Sequence, residues 1–137
     1  MDYTIEKDWT TKAGLRAVVV ATPMGHRCGY VGVDSTNPNH GKGYDDLESI
    51  EVHGGLTYAR GGSAYPVEAD LWWLGFDCAH YDDRKDWSIM SDKYKEVYRT
   101  LIDLDCGDTI KDTAFVEAEC ESLAKQLAAP ANIDPTL

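Results

Sequence analysis

The tetrapeptide Asp77-Cys78-Ala79-His80 follows directly on an apolar run, Leu71-Trp72-Trp73-Leu74-Gly75-Phe76. A strand buried on both faces reads as such an unbroken run, and its end is where a rigid scaffold most often presents chemistry. An acid beside an imidazole can fix its tautomer and raise its basicity, which makes Asp77 and His80 a candidate acid–base pair. Cys78 could be a nucleophile with a histidine base, although no cysteine-protease signature surrounds it. A second cluster is His53-Gly54-Gly55, where glycines let a ligand approach the main chain and successive N–H groups can cradle an anion. The plainer reading is a glycine turn whose histidine is satisfied by its neighbours.

Metal chemistry has two candidate sets. In an extended strand alternate residues share a face, so Cys78 and His80 could point one way, as could His26 and Cys28 on another strand. Joined, they would be a Cys2His2 zinc set of the right ligand types, but the spacing is not that of a zinc finger. The competing reading makes Cys28 and Cys78 small core hydrophobes. Asp82, Asp83 and Asp86 could hold a hard cation, yet the ordered Asp-x-Asp-x-Asp-Gly loop is missing and a solvated acidic turn explains them more simply. No Gly-x-Ser-x-Gly elbow supports a hydrolase of the α/β class.

These groups need elements to hold them. Leu15–Ala21 is rich in β-branched residues and predicts a strand; Thr22-Pro23-Met24-Gly25 turns it, and His26–Val33 returns as the partner of a hairpin. The first fifteen residues are polar and could hold a short strand or an arm. Residues 34–46 have the composition of a long loop. Ser49–His53 and Leu56–Arg60 flank Gly54-Gly55 as two strands about a tight turn, or as one strand with a glycine bulge. The segment from Gly61 to Glu68 leads into the strand at Leu71, and a charged loop, Tyr81–Asp86, follows His80.

Tyr94, Val97, Tyr98 and Leu101 give a helical face to 91–104, which Cys106-Gly107-Asp108 would end. Val116, Cys120, Leu123, Ala124 and Leu127 recur at helical spacing over 113–128. Asp112 can cap that helix, Glu117 and Glu119 sit early in it, Lys125 lies near its end, and Pro130 stops it. The residues from about 131 onward would fray. Strands first and helices last predict one α+β domain spanning 1–137, an antiparallel sheet of about four to six strands with the C-terminal helix packed on it.

The 137 residues suffice for a core without staples, and 43% hydrophobic with 27% charged residues is ordinary for a soluble globular protein. Thirteen basic against twenty-four acidic residues give a net charge of −11, which argues against wrapping a nucleic-acid backbone. The N-terminus has no signal-peptide pattern, and no apolar run approaches the roughly eighteen residues of a membrane helix. The four cysteines include no Cys-x-x-Cys pair and read as reduced thiols in a cytosolic chain.

Three blocks stand out together: Gly25-His26-Arg27-Cys28-Gly29-Tyr30-Val31, His53-Gly54-Gly55-Leu56-Thr57-Tyr58 and Trp72-Trp73-Leu74-Gly75-Phe76-Asp77-Cys78-Ala79-His80. With the segment Phe115–Leu123, they resemble a family of small bacteriophage and prophage proteins over roughly residues 15–129. The resemblance implies a viral or mobile-element origin and life in the cytoplasm of a bacterial host. It brings no activity with it; by analogy, some small acidic phage proteins inhibit host defence by sequestering nucleotide signals.

No complete catalytic constellation is legible, so binding of a small polar or nucleotide-like ligand stands ahead of catalysis. The alternatives are a small metal-assisted or acid–base hydrolase and a protein that only blocks a partner; a second copy of the chain is a further candidate partner. The expected binding residues are His26, His53, Gly54, Gly55, Tyr58, Asp77 and His80. At least His53, Asp77 and His80 should converge on one concavity, lined by Tyr30, Tyr58 or Trp73, with Arg27 and Arg60 supplying local positive charge. A His53–His80 separation above about 12 Å would rule out a shared pocket of the usual ~300–1,000 Å³.

Overall fold

A computed structural model describes residues 3–99 and 109–128. The strands β1 (Thr4–Thr10), β2 (Arg16–Ala21), β3 (Arg27–Val33), β4 (Tyr58–Gly61) and β5 (Trp72–Asp77) form an antiparallel sheet in the order β1-β2-β3-β5-β4. The expected hairpin pairs β2 with β3, from Arg16 opposite Gly32 to Ala21 opposite Arg27. The apolar run is an inner strand, flanked by β3 and β4.

Alternation splits this sheet into two apolar faces. Ala17, Val19, Val31, Val33, Leu74, Phe76 and Cys78 meet the helix α2 (Thr113–Ala128) through Val116, Cys120, Leu123, Ala124 and Leu127. Asp112 caps α2, its Oδ1 accepting the Phe115 N–H at 2.9 Å. At the other end Asn37 and Asn39 donate side-chain amides to the Leu127 carbonyl, so the long loop closes the helix C-terminus. Gly29 is needed where α2 crosses β3: a Cβ there would lie 2.6 Å from Phe76 and 2.7 Å from the Cys120 sulfur.

The second face carries Val18, Val20, Cys28, Tyr30 and Trp73, covered by Tyr3, Tyr58, Tyr65, Val67 and Leu71. Covering both faces is what lets β2, β3 and β5 be almost wholly apolar. Tyr30 and Tyr65 share a hydroxyl–hydroxyl hydrogen bond of 2.7 Å, which satisfies two phenols inside this second layer.

Two expectations change. Ser49–His53 is not a strand, and Gly54-Gly55 is neither a hairpin turn nor a bulge within one. Side chains of α2 take the place of strand partners there: Glu51 N–H donates to Gln126 Oε1, Gln126 Nε2 donates back to the Glu51 carbonyl, and His53 N–H donates to Glu119 Oε1. The charged loop after His80 contains a two-residue strand, β6 (Asp83–Arg84), paired parallel with β7 (Thr109–Ile110). The expected short helix is present as α1 (Asp92–Arg99), and none of its residues is buried. The expected continuation to Leu104, the breaker Cys106-Gly107-Asp108, Pro130 and the terminal segment lie outside the described residues.

Candidate functional site

At the end of β5 the chain turns sharply, and Asp83 is the hub of the hydrogen bonds that gather there. The Asp83 N–H donates to the His80 carbonyl at 2.9 Å, while the His80 N–H donates to Asp83 Oδ2 at 3.0 Å. His53 Nε2 lies 3.0 and 2.9 Å from the two Asp83 oxygens, and Lys111 Nζ is 2.9 Å from Oδ1. The Asp83 side chain is only 1% exposed. Burial pushes its carboxyl up, but hydrogen bonds from His53, Lys111 and the His80 amide outweigh that and hold it below the usual carboxylate value. A buried ionised carboxylate only accepts, so His53 Nε2 carries a proton toward Asp83.

The two histidine rings stand 5.4 Å apart, edge to face, and Phe115 of α2 packs on the other side of His53 at 5.3 Å. His80 Nε2 is 3.0 Å from the Asp77 carbonyl and 3.4 Å from Asp77 Oδ1. Asp77 is itself anchored, accepting from Thr57 Oγ1 and from the Ala79 N–H. His53, Asp77 and His80 therefore meet, well inside the limit of about 12 Å for groups sharing one pocket.

Gly54 makes that meeting sterically feasible. Both Gly54 and Gly55 have positive φ, +70° and +81°, but only at Gly54 would a Cβ collide, 2.0 Å from His80 Nε2. Alanine at either site carries the same left-handed strain, of order 1–2 kcal/mol. Gly54→Ala is expected to displace the His80 ring and Gly55→Ala to leave it in place. Comparison of the histidine NMR resonances of the two variants checks this; equal perturbation by both would contradict the close approach.

Among the described residues, His26 makes no hydrogen bond with these groups. Burial lowers its pKa, the Lys85 charge lowers it further, and its Nδ1 is 3.3 Å from Thr22 Oγ1. Its hydrogen-bond partner is Thr22, and the group that closes within 4.8 Å is His53, His80 and Asp83 without it.

Other expected members belong elsewhere. Tyr58 packs with Tyr30 and Tyr65 on the opposite sheet face, as Trp73 does, because odd and even positions of the strands diverge; Phe115 supplies the aromatic wall instead. Cys28 and Cys78 fall into different sheet faces, so the Cys2His2 set cannot close. Asp83 and Asp86 are not a solvated turn: Asp86 pairs with Arg27, whose side chain is 6% exposed. Arg27 is thereby committed to Glu6 and Asp86, and Arg60 lies opposite Trp73, on the far face from the histidines.

None of the three described cysteines is an activated nucleophile. Burial pushes the Cys28 thiol up to about 11 and Cys120 up to about 12, and burial with the Asp83 charge nearby raises Cys78 as well. In native protein at pH 8, Cys28, Cys78 and Cys120 should stay unmodified by maleimide while the unfolded chain reacts fully. Peptide-resolved mass mapping reads this out, and rapid native labelling of Cys78 would contradict it.

Sequence reasoning missed Lys111, Phe115 and Glu119 as site residues and misjudged Asp83. One signal was present: a lysine immediately before a helix N-terminus works against the helix dipole, so Lys111 needed another partner. Comparison with known proteins returns no match to a family model, a curated protein or a solved structure.

Proposed function

We propose that this chain is a binding protein for a small polar ligand, held at the corner formed by His53, His80 and Asp83. The observation that carries the reading is the convergence of these three groups, with ligand atoms all within 4.8 Å of one another, in a chain whose net charge is −11. Asp83 and Lys111 neutralise each other and fix the floor, while the His80 side chain, 33% exposed, offers hydrogen bonding toward solvent. Local geometry of this kind can hold an anionic or nucleotide-like molecule despite the acidity of the whole. In the setting implied by the phage resemblance, the protein would work in the cytoplasm of an infected bacterium and counteract defence by sequestering such a molecule.

One observation favours the acid–base alternative. Asp83 orients the His53 ring through Nε2, as the orienting acid of a general-base pair does. Among the described residues no serine hydroxyl or cysteine thiol hydrogen-bonds that ring, so binding remains the conclusion.

Mass spectrometry of small molecules released by heating the purified protein tests this. A polar compound retained by the native chain and lost from His53→Ala and His80→Ala is the expected result. Release of nothing from the native chain, or of the same compound from all three proteins, would overturn the assignment.

A further inference from the structure

Resting on the reading of this corner as a binding site, we propose that His53, His80 and Asp83 bind a first-row divalent transition-metal ion of the zinc class. Each residue offers one ligand atom, and the three atoms lie within 4.8 Å of one another. Two imidazoles and one carboxylate are the donor types that zinc and its neighbours take, at about 2.0–2.2 Å. Two such ligands around a tetrahedral ion stand about 3.3 Å apart, and the His53 Nε2 to Asp83 contact is already 2.9 Å. The proton on His53 Nε2 occupies the place the ion would take and would leave to solvent on binding.

The surroundings have the form of an outer coordination shell. A ligating histidine usually donates its other ring N–H to a carbonyl or carboxylate, which fixes the ring. His80 Nε2 sits 3.0 Å from the Asp77 carbonyl, which leaves Nδ1 as the nitrogen to meet the ion. His53 is fixed through its backbone, by the N–H donated to Glu119 Oε1 at 2.8 Å. Gly54 lacks the Cβ that would collide with the His80 ring, so the ring can stand against the His53-Gly54 backbone.

Lys111 is the group that opposes a cation here, and its position explains how Asp83 stays ionised without one. Its ammonium has other acceptors in reach, the Thr109 hydroxyl, the Thr109 carbonyl at 3.4 Å and the Asp82 carbonyl at 3.5 Å. It can therefore yield Asp83 to an ion without being stranded. Three protein ligands leave a fourth position open, which is the mark of a site that takes a further ligand or water rather than a closed structural one.

The test uses the full chain stripped with chelator and then titrated with zinc alone, read by calorimetry and by metal content after gel filtration. The proposal expects one zinc per chain. His53→Gln and His80→Gln, confirmed as folded by circular dichroism, should weaken binding by more than the roughly 10–100-fold that loss of an outer-shell partner costs. Gly54→Ala should weaken it, Gly55→Ala should not, and Lys111→Met should tighten it. Absence of zinc binding by the native chain, binding that survives both histidine variants, or weakening by Lys111→Met would overturn the metal site. The two readings fail separately: a polar compound released on heating from a chain that takes up no zinc would keep the small-molecule corner and remove the ion. Stoichiometric zinc lost from both histidine variants, with no retained compound, would keep the ion and remove the small-molecule ligand.

Discussion

Arg27→Ala is expected to destabilise the protein by about 3–5 kcal/mol, the cost of removing one partner from a buried ionic network. The β-bulge between Ile5 and Lys7 in β1 turns Glu6 toward Arg27, which donates to it through Nε at 2.7 Å and Nη2 at 3.2 Å. Arg27 Nη1 also donates to Asp86 Oδ2 at 2.9 Å and to the Lys111 carbonyl at 3.3 Å. Glu6 accepts in addition from Thr113, the first residue of α2. One guanidinium thus ties the sheet edge, the loop after β6 and the start of the helix, and alanine would leave two carboxylates without it. A shift in denaturation midpoint worth under about 1 kcal/mol, the range of an exposed ion pair, would contradict this.

Acid should reveal the same network. Burial raises the Asp86 pKa, but hydrogen bonds from Ser88 and Arg27 outweigh it and hold the group below its ordinary value of 3.8. A lowered carboxylate contributes stability that is fully present above that ordinary value and disappears as pH falls through the lower, folded-state value. The gap in stability between native protein and Arg27→Ala should therefore be constant near neutrality and narrow below about pH 4.

Leu123→Ala is expected to cost about 2–5 kcal/mol, through lost burial and the cavity left behind. Leu123 is fully buried between Cys120 and Leu127 on the face of α2 that meets the sheet. Its methyls have no solvent to relax into, and the neighbours on β2 and β3 belong to hydrogen-bonded strands that collapse poorly. An unchanged midpoint in chemical denaturation would mean that α2 is not docked on this sheet.

What could be read from the sequence were features set by local periodicity. The spacing of Val116, Cys120, Leu123, Ala124 and Leu127 gave both the helix and its buried face, and the β-branched and apolar runs gave β2, β3 and β5. Ser49–His53 misled because alternating Ile50 and Val52 suit a strand, whereas Gln126 and Glu119, far along the chain, provide its hydrogen bonds. Asp83 misled for a related reason. Its neighbours in sequence are charged, and only Lys111 and His53, brought in from 28 and 30 residues away, make its burial affordable. His53, Asp77 and His80 were legible because strand ends and glycine turns mark where side chains can gather; the aromatic wall was not, since helix α2 brings Phe115 from outside both motifs.

The central claim is that His53, His80 and Asp83 act together as a binding site. The most direct measurement follows the imidazole nitrogen resonances of the stripped protein by NMR while zinc, and separately the heat-released small-molecule fraction, is added back. His40, whose ring lies 5.9 Å from Trp72 away from this corner, serves as the internal control. The account predicts that His53 and His80 shift together and saturate together while His40 stays still. Resonances that do not move with either addition, or that move equally at His40, would contradict it.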